Sequence, residues 1–374
     1  MRILVAPDKF KGSLGAAEVA ECMAAGLRDV FPDAEISLMP VADGGEGTAS
    51  VICAAMGGEW HSCEVRDPLG RSVQARYCTI AHGTTAVMEM SEASGLCRLA
   101  AEERDPTIAS SLGTGEMLLD AAQRGAKKII IGLGGSGTND GGFGMAHALG
   151  FRFLEAAGGE LEGVAPALTR LDHLDAPKNL LLPEIIAAAD VRNPLLGPRG
   201  TTRTFGMQKG AAAEQVETLE AALARLADVV AATYQADFRD APGAGAAGGL
   251  GFALLSFCGA SMRAGFDVVA ESIGLESAVQ AADIVVTGEG RLDAQTAEGK
   301  APAGVATLAR KYGKKSYAIV GQLQHFPELH HLFDDVVVVA TAPLSTASAT
   351  AEAGRLLREG GRELARRYEV ALAS

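Results

Sequence analysis

Four short loops concentrate the residues that could do chemistry, and each follows an apolar run of strand type. They are PDKFKGS (Pro7 to Ser13), ADGGEGT (Ala42 to Thr48), GLGGSGTNDGGFG (Gly132 to Gly144) and TGEGRLDAQT (Thr287 to Thr296). Loops at the carboxyl ends of strands in an open α/β sheet are where ligands bind. In the first, Lys9 and Lys11 stand two apart, with Ser13 as the expected N-cap of the next helix. Ammonium groups plus free N–H donors suit an anionic substrate or a phosphate, with solvated surface lysines as the alternative. Asp43 and Glu46 offer hard oxygen ligands for Mg2+ at a second helix start, or simply cap it. Glu289, Arg291, Asp293 and Gln295 crowd seven residues behind a buried strand, a costly arrangement unless partners or ligands satisfy them.

The third loop contains a formal GxGxxG at Gly132, Gly134 and Gly137, with Glu155 lying 18 residues beyond the last glycine. On spacing alone this is a dinucleotide fingerprint. Against it, Asn139 and Asp140 stand where a helix should greet the pyrophosphate, and Gly141, Gly142 and Gly144 weaken that helix. A carboxylate beside a phosphate is repulsive unless Mg2+ lies between them. The loop therefore reads as a phosphate nest with Asp140 as a candidate metal ligand, and tight turns for close packing are the alternative. A fifth segment, AAADVRNPLLG, carries Asp190 and Asn193 after a strand-like run. Asp190 suits a base, a metal ligand or a turn-forming Asx residue. The chain has no GxxxxGK[ST], GxSxG, HRD, DFG or HExxH, which disfavours P-loop ATPases, serine hydrolases, protein kinases and that zinc-site class.

The elements that must position these loops follow an α/β grammar. RILVA is a strand, Leu14 to Val30 a helix, EISLM a second strand and Thr48 to Met56 a second helix. Near the other end, strands at DIVV, SYAIV and DVVVV alternate with helices around Pro302 to Tyr312 and His325 to Leu332, and a last helix runs from about Ala349 to Tyr368. Continuous Val/Ile runs are those of parallel strands buried on both faces. Two strands before and three after make one five-stranded, doubly wound sheet split by an insertion. The insertion opens with the alternating SVQARY and a DPLG turn, which predict antiparallel hairpins. The expected domains are residues 1–58 plus 271–374, and 59–270.

Composition narrows the partners. The 374 residues carry 33 basic and 46 acidic side chains, a net charge of −13, with only 5% aromatic residues. Neither a basic stripe nor a stacking platform can be built easily, so nucleic acid is disfavoured. Six scattered cysteines without a CxxC read as reduced thiols of a cytoplasmic protein. The N-terminal apolar run is too short for a signal peptide, and the uncharged stretch Ala241 to Met262 is too diluted by six glycines to span a membrane. Nothing in the sequence excludes a homo-oligomer.

Taken in order, PDKFKGSL, MPVADGGEGT, VMEMSEASGL, GLGGSGTNDGG, AADVRNPLLG, APGAGAAGGLG and TGEGRLDAQT…GKAP resemble the bacterial type-1 glycerate kinases (glycerate 2-kinases), from Met1 to about Tyr368. The departures are Met207, where that family usually has proline, and Ser111-Leu112 ahead of GTGE. The resemblance implies a flavodoxin-like domain made from both chain ends, an inserted domain of restriction-enzyme-like type, and ATP-dependent phosphorylation of D-glycerate with Mg2+. Phosphoryl transfer needs cations and metal on the phosphates, an anchor for the substrate carboxylate and a carboxylate to take the hydroxyl proton. We assign Lys9, Lys11 and Arg291 as anion clamps, with Ser13, Asn193 and Gln295 beside the substrate. Asp190 or Asp293 is the base, and Asp43, Glu46 and Asp140 are the Mg2+ carboxylates. Gly134, Gly135, Ser136, Gly137, Thr138 and Gly288 are the nucleotide contacts. The alternatives are a glycerate 3-kinase, an NAD-dependent 2-hydroxyacid oxidoreductase using the GxGxxG, and a non-catalytic glycerate or nucleotide sensor.

Overall fold

The computed structural model describes residues 1–293, 296, 300–324, 329–339 and 349–373. They divide into two compact units, one formed by residues 1–43, 50–55 and 264–374, the other by residues 44–49 and 56–263.

The first unit holds five parallel strands in the spatial order Asp335–Val338, Lys315–Val320, Ile284–Thr287, Arg2–Val5, Glu35–Leu38. Counted along the chain this is 2-1-3-4-5, the flavodoxin-like doubly wound order. Ile3 lies opposite both Ile284 and Ile36 in register. Ile284–Thr287 is buried throughout, whereas the edge strand Glu35–Leu38 is mostly exposed, which is why the Val/Ile runs mark the centre of the sheet.

The first helix, Ala16–Arg28, begins at Gly15, whose N–H donates to Glu18 Oε2 at 3.0 Å. This corrects the expectation that Ser13 is the N-cap. Gly12, at φ +80°, turns the chain back so that Ser13 Oγ donates to the Phe10 carbonyl at 2.9 Å. The same helix packs on the last one, Ala349–Ala373, through glycine. A Cβ at Gly26 would overlap the Arg358 carbonyl, and one at Gly361 would lie 2.5 Å from the Met23 oxygen. Asp29 accepts from Arg358 at 2.8 Å and from Arg362 at 2.6 Å across this contact. The expected helix around His325 is observed at Leu329–Leu332, its first residues lying outside those described.

The second unit is built on a six-stranded sheet, in the order Ser261–Arg263, Glu184–Ala188, Lys128–Gly132, Thr85–Glu89, Ser72–Ile80, Glu59–Arg66. The first four strands are parallel, and the last two form the antiparallel hairpin expected from the alternating pattern. Its turn is set by Asp67, whose Oδ1 accepts from the N–H groups of Leu69 and Arg71 at 2.9 Å. Glu89, Gly132 and Ala188 lie side by side in register, so three strands deliver their following loops to one edge. Gly44–Ala49 joins this unit because Gly132 and Gly134 admit its backbone: a Cβ at Gly132 would sit 2.5 Å from the Gly44 oxygen. Among the described residues, no helix is long and apolar enough to cross a membrane.

Candidate active site

Among the described residues, the candidate site residues gather in two constellations, one in each unit. The first occupies the switch point of the 2-1-3-4-5 sheet, where Arg2–Val5 and Ile284–Thr287 lie adjacent. Their exits are locked together: Asp8 N–H donates to the Gly288 carbonyl at 2.8 Å, and Thr287 Oγ1 donates to the Ala6 carbonyl at 2.7 Å. Asp8 Oδ1 accepts from the Lys9 N–H at 2.6 Å, and Lys9 Nζ lies 3.9 Å from the same oxygen. Burial pushes the Asp8 carboxyl up to about 6; the Lys9 ammonium opposes this and the negative charge of Asp43 adds to it. Lys11 is exposed, and its backbone nitrogen would lie 3.5 Å from a Cβ at Gly290.

Glu289 is the other buried carboxylate here. Thr296 Oγ1 donates to its Oε1 at 2.6 Å, and burial pushes it up to about 7, against the pull of Thr296 and Lys300. Asp293 lies 3.4 Å from Arg291 Nε and 3.6 Å from Lys300 Nζ. Arg291 Nη2 donates to Gln324 Oε1 at 2.9 Å while the side chain stays 61% exposed, free to turn toward an anion. Gln295 lies outside the described residues. Gly288 serves packing, since a Cβ there would overlap the Ile319 carbonyl. Sequence reasoning missed Asp8, Thr296 and Lys300. Asp8 directly follows the first strand and Lys300 immediately precedes the helix Ala301–Lys311, a strand end and a helix start where ligand groups gather.

The second constellation lies along the strand ends of the six-stranded sheet. Gly132, Gly134 and Gly137 are the loop's close-contact residues, against Gly44, Gly45 and Gly95 respectively. Gly137 N–H donates to the Ser94 carbonyl at 2.9 Å, and the Gly135 carbonyl accepts from Leu96 N–H at 2.8 Å. The apex, Gly135 at φ +74° and Ser136, keeps its own N–H groups out of these bonds, as a phosphate nest requires. The helix that follows, Phe143–Ala148, has only six residues, so the Rossmann arrangement is not present. Glu89 Oε1 accepts from the N–H groups of Gly47 at 3.0 Å and Ala49 at 2.9 Å, tying this edge to the ADGGEG loop.

Asp140 is not free to ligate a metal, which corrects its assignment. It is fully buried, with Oδ2 accepting from Ser111 N–H and Oγ at 2.8 Å and from Gly144 N–H at 3.1 Å, and Oδ1 from Gly142 N–H at 3.0 Å. A carboxylate with that many donors is the cap of its own loop. Asn193 braces the fifth segment: its Nδ2 donates to the Arg199 carbonyl at 2.6 Å and its carbonyl accepts from Gly245 N–H at 2.9 Å. Asp190 is half-buried just past Glu184–Ala188, at the edge that carries the Gly135 apex. Glu46 is exposed. Among the described residues no three His, Cys, Asp or Glu side chains are placed to hold a metal alone.

A strand-end array of cations and buried carboxylates in one unit, and a glycine nest in the other, suit the transfer of an anionic group. Known proteins resemble this chain in sequence and in fold. The family model described as "Glycerate kinase family" matches residues 3–369. The glycerate 2-kinase of Escherichia coli K12 is 44% identical over 326 residues, 86% of each chain. The glycerate kinase of Bacillus subtilis 168 is 40% identical over 99% of this chain and 98% of its own. The crystal structure of a candidate glycerate kinase 2 from Salmonella typhimurium LT2 superposes with a TM-score of 0.88 at 40% identity, covering 100% of both chains. With a match that runs from the first strand into the last helix, the chain belongs to the glycerate kinase family.

Proposed function

We propose that this enzyme transfers the terminal phosphoryl group of ATP, with Mg2+, to the C2 hydroxyl of D-glycerate, giving 2-phosphoglycerate. The observation that carries the reading is the switch-point array, in which Lys9, Arg291 and Lys300 surround Asp8, Glu289 and Asp293. The choice of C2 rests on the name of the 44% identical relative, a glycerate 2-kinase.

Lys9, Lys11 and Arg291 hold the anionic groups as mobile or forked donors. Glu289 takes the hydroxyl proton: a carboxyl that titrates near 7 is part-ionised at neutral pH and still basic enough to accept it. Asp293, between Arg291 and Lys300, orients those cations, and Asp190 remains the alternative base on the second unit. The N–H groups of Gly135 and Ser136 receive phosphate oxygens of the nucleotide.

Asp8 and Asp43 fit Mg2+. Their mutual repulsion is what a divalent cation relieves, and Mg2+ is commonly held by one or two carboxylates plus substrate phosphates. When bound, the ion would neutralise charge on the phosphates.

The test is turnover with D-glycerate, ATP and Mg2+ coupled to enolase alone, which dehydrates 2-phosphoglycerate and cannot use the 3-isomer. Signal that requires added phosphoglycerate mutase makes this a 3-kinase. Reduction of NAD by glycerate in the absence of ATP, or binding without ADP release, overturns the reading.

A further inference from the structure

Lys209 is 1% exposed, and burial pushes its amine down to about 7 against the opposing pull of Asp140. It closes the turn Met207–Lys209 ahead of Gly210, whose φ of +96° and close approach to the Arg104 carbonyl fix the direction of the chain. Inside, Nζ donates to the carbonyl oxygen of Thr138 at 2.7 Å. Thr138 ends the GGSGT nest. Gly248, at φ +72°, lies so close that a Cβ would overlap that same Thr138 oxygen, and the Gly248 carbonyl accepts from Gly141 N–H at 2.9 Å. Asn139 Nδ2 donates to Thr202 Oγ1 at 2.9 Å, and the Asp140 cap fixes the next turn.

We propose that Lys209 is a positioning residue of the phosphate loop, its buried Nζ–H donor holding the Thr138 carbonyl so that the N–H groups of Gly135 and Ser136 point at the nucleotide phosphates. The proposal rests on the function given above. An apolar side chain would fill the same space without the cost of burying a polar amine, so packing alone does not account for a lysine here. What the amine adds is a directional bond to a single peptide plane. Gly134 is fixed upstream by its close approach to Gly45, and Gly137 and Thr138 are fixed downstream by Ser94, Lys209 and Gly248. The two-residue apex between them is then preorganised before any ligand arrives.

The test compares Lys209→Met, which keeps the bulk and removes the donor, with Lys209→Gln, which retains a neutral N–H donor. In the ligand-free protein, amide hydrogen exchange at Gly135 to Gly142 is expected to accelerate at least about tenfold in the Met variant, less in the Gln variant, and to change under about twofold in the five-stranded sheet. In turnover, KM for ATP is expected to rise at least about tenfold in the Met variant, with KM for D-glycerate and kcat within about twofold of the parent. A folded Met variant with unchanged loop exchange and unchanged KM for ATP overturns the proposal. So does failure of both variants to fold, which would make Lys209 a residue of the fold rather than of the loop. Absence of glycerate-dependent ADP release in the parent enzyme would instead refute the assigned function, and the exchange measurement would still decide whether Lys209 holds the loop.

Discussion

The hydroxyl of Thr296 donates to Glu289 at 2.6 Å, giving a buried carboxylate at the sheet's switch point one neutral donor. Burial still dominates, and Glu289 titrates near 7 instead of its ordinary 4.5. The folded chain thus retains a proton that the unfolded chain releases between those values, and stability contributed by this group falls as pH climbs from about 4.5 to about 7. Glu289→Gln removes that slope. Its melting temperature at pH 8 should exceed the parent's by about 2–5 °C, with little gain at pH 5, while turnover falls at least about a hundredfold. Parallel melting curves for the two proteins from pH 5 to pH 8 would refute the shift.

Arg291→Ala and Asp293→Asn should each lower kcat/KM by at least about a hundredfold and leave the melting temperature within about 2 °C. The Arg291–Asp293 pair is partly solvated, and such pairs add little stability. Steady-state kinetics beside a thermal melt decides this, and early unfolding with near-normal turnover would mark a structural ion pair.

Gly134→Ala tests the nest. A Cβ there would overlap the Gly45 backbone, which has no flexible side chain to give way. We expect ATP affinity to drop by at least about tenfold, together with a stability loss of about 1–3 kcal/mol, read by calorimetric titration and denaturant melts.

Gly26→Val separates scaffold from site. The new side chain meets the Arg358 carbonyl on the last helix and should cost about 3 kcal/mol or more, lowering the melting temperature sharply. KM values of whatever enzyme remains folded should be unchanged.

Much of this was readable from the residues because burial on both faces leaves a plain mark. The Val/Ile runs of the central strands and the alternation of SVQARY each follow from which faces meet solvent. The site was less legible. Asp140 has the same charge and neighbours as a metal ligand, and only its contacts with Ser111, Gly142 and Gly144 show that it is already satisfied. Ser13 precedes a helix as an N-cap would, yet the turn at Gly12 spends its hydroxyl on Phe10. Asp8 gains its meaning from partners far away in the chain, Asp43, Gly288 and Lys300, which local spacing cannot encode.

The split sheet also sets a timetable for synthesis. Arg2–Val5 pairs on one side with Glu35–Leu38 but on the other with Ile284–Thr287, about three quarters of the sequence later. At bacterial or eukaryotic elongation rates of about 5–20 residues per second, the first strand waits roughly 15–55 s on the ribosome with one hydrogen-bonding edge open. The six-stranded sheet, drawn from residues 59–263, can close during that interval. Newly made chains should therefore bind holdase chaperones through their amino-terminal strand–helix–strand unit, and truncation before Ile284 should leave a folded middle and an aggregation-prone start.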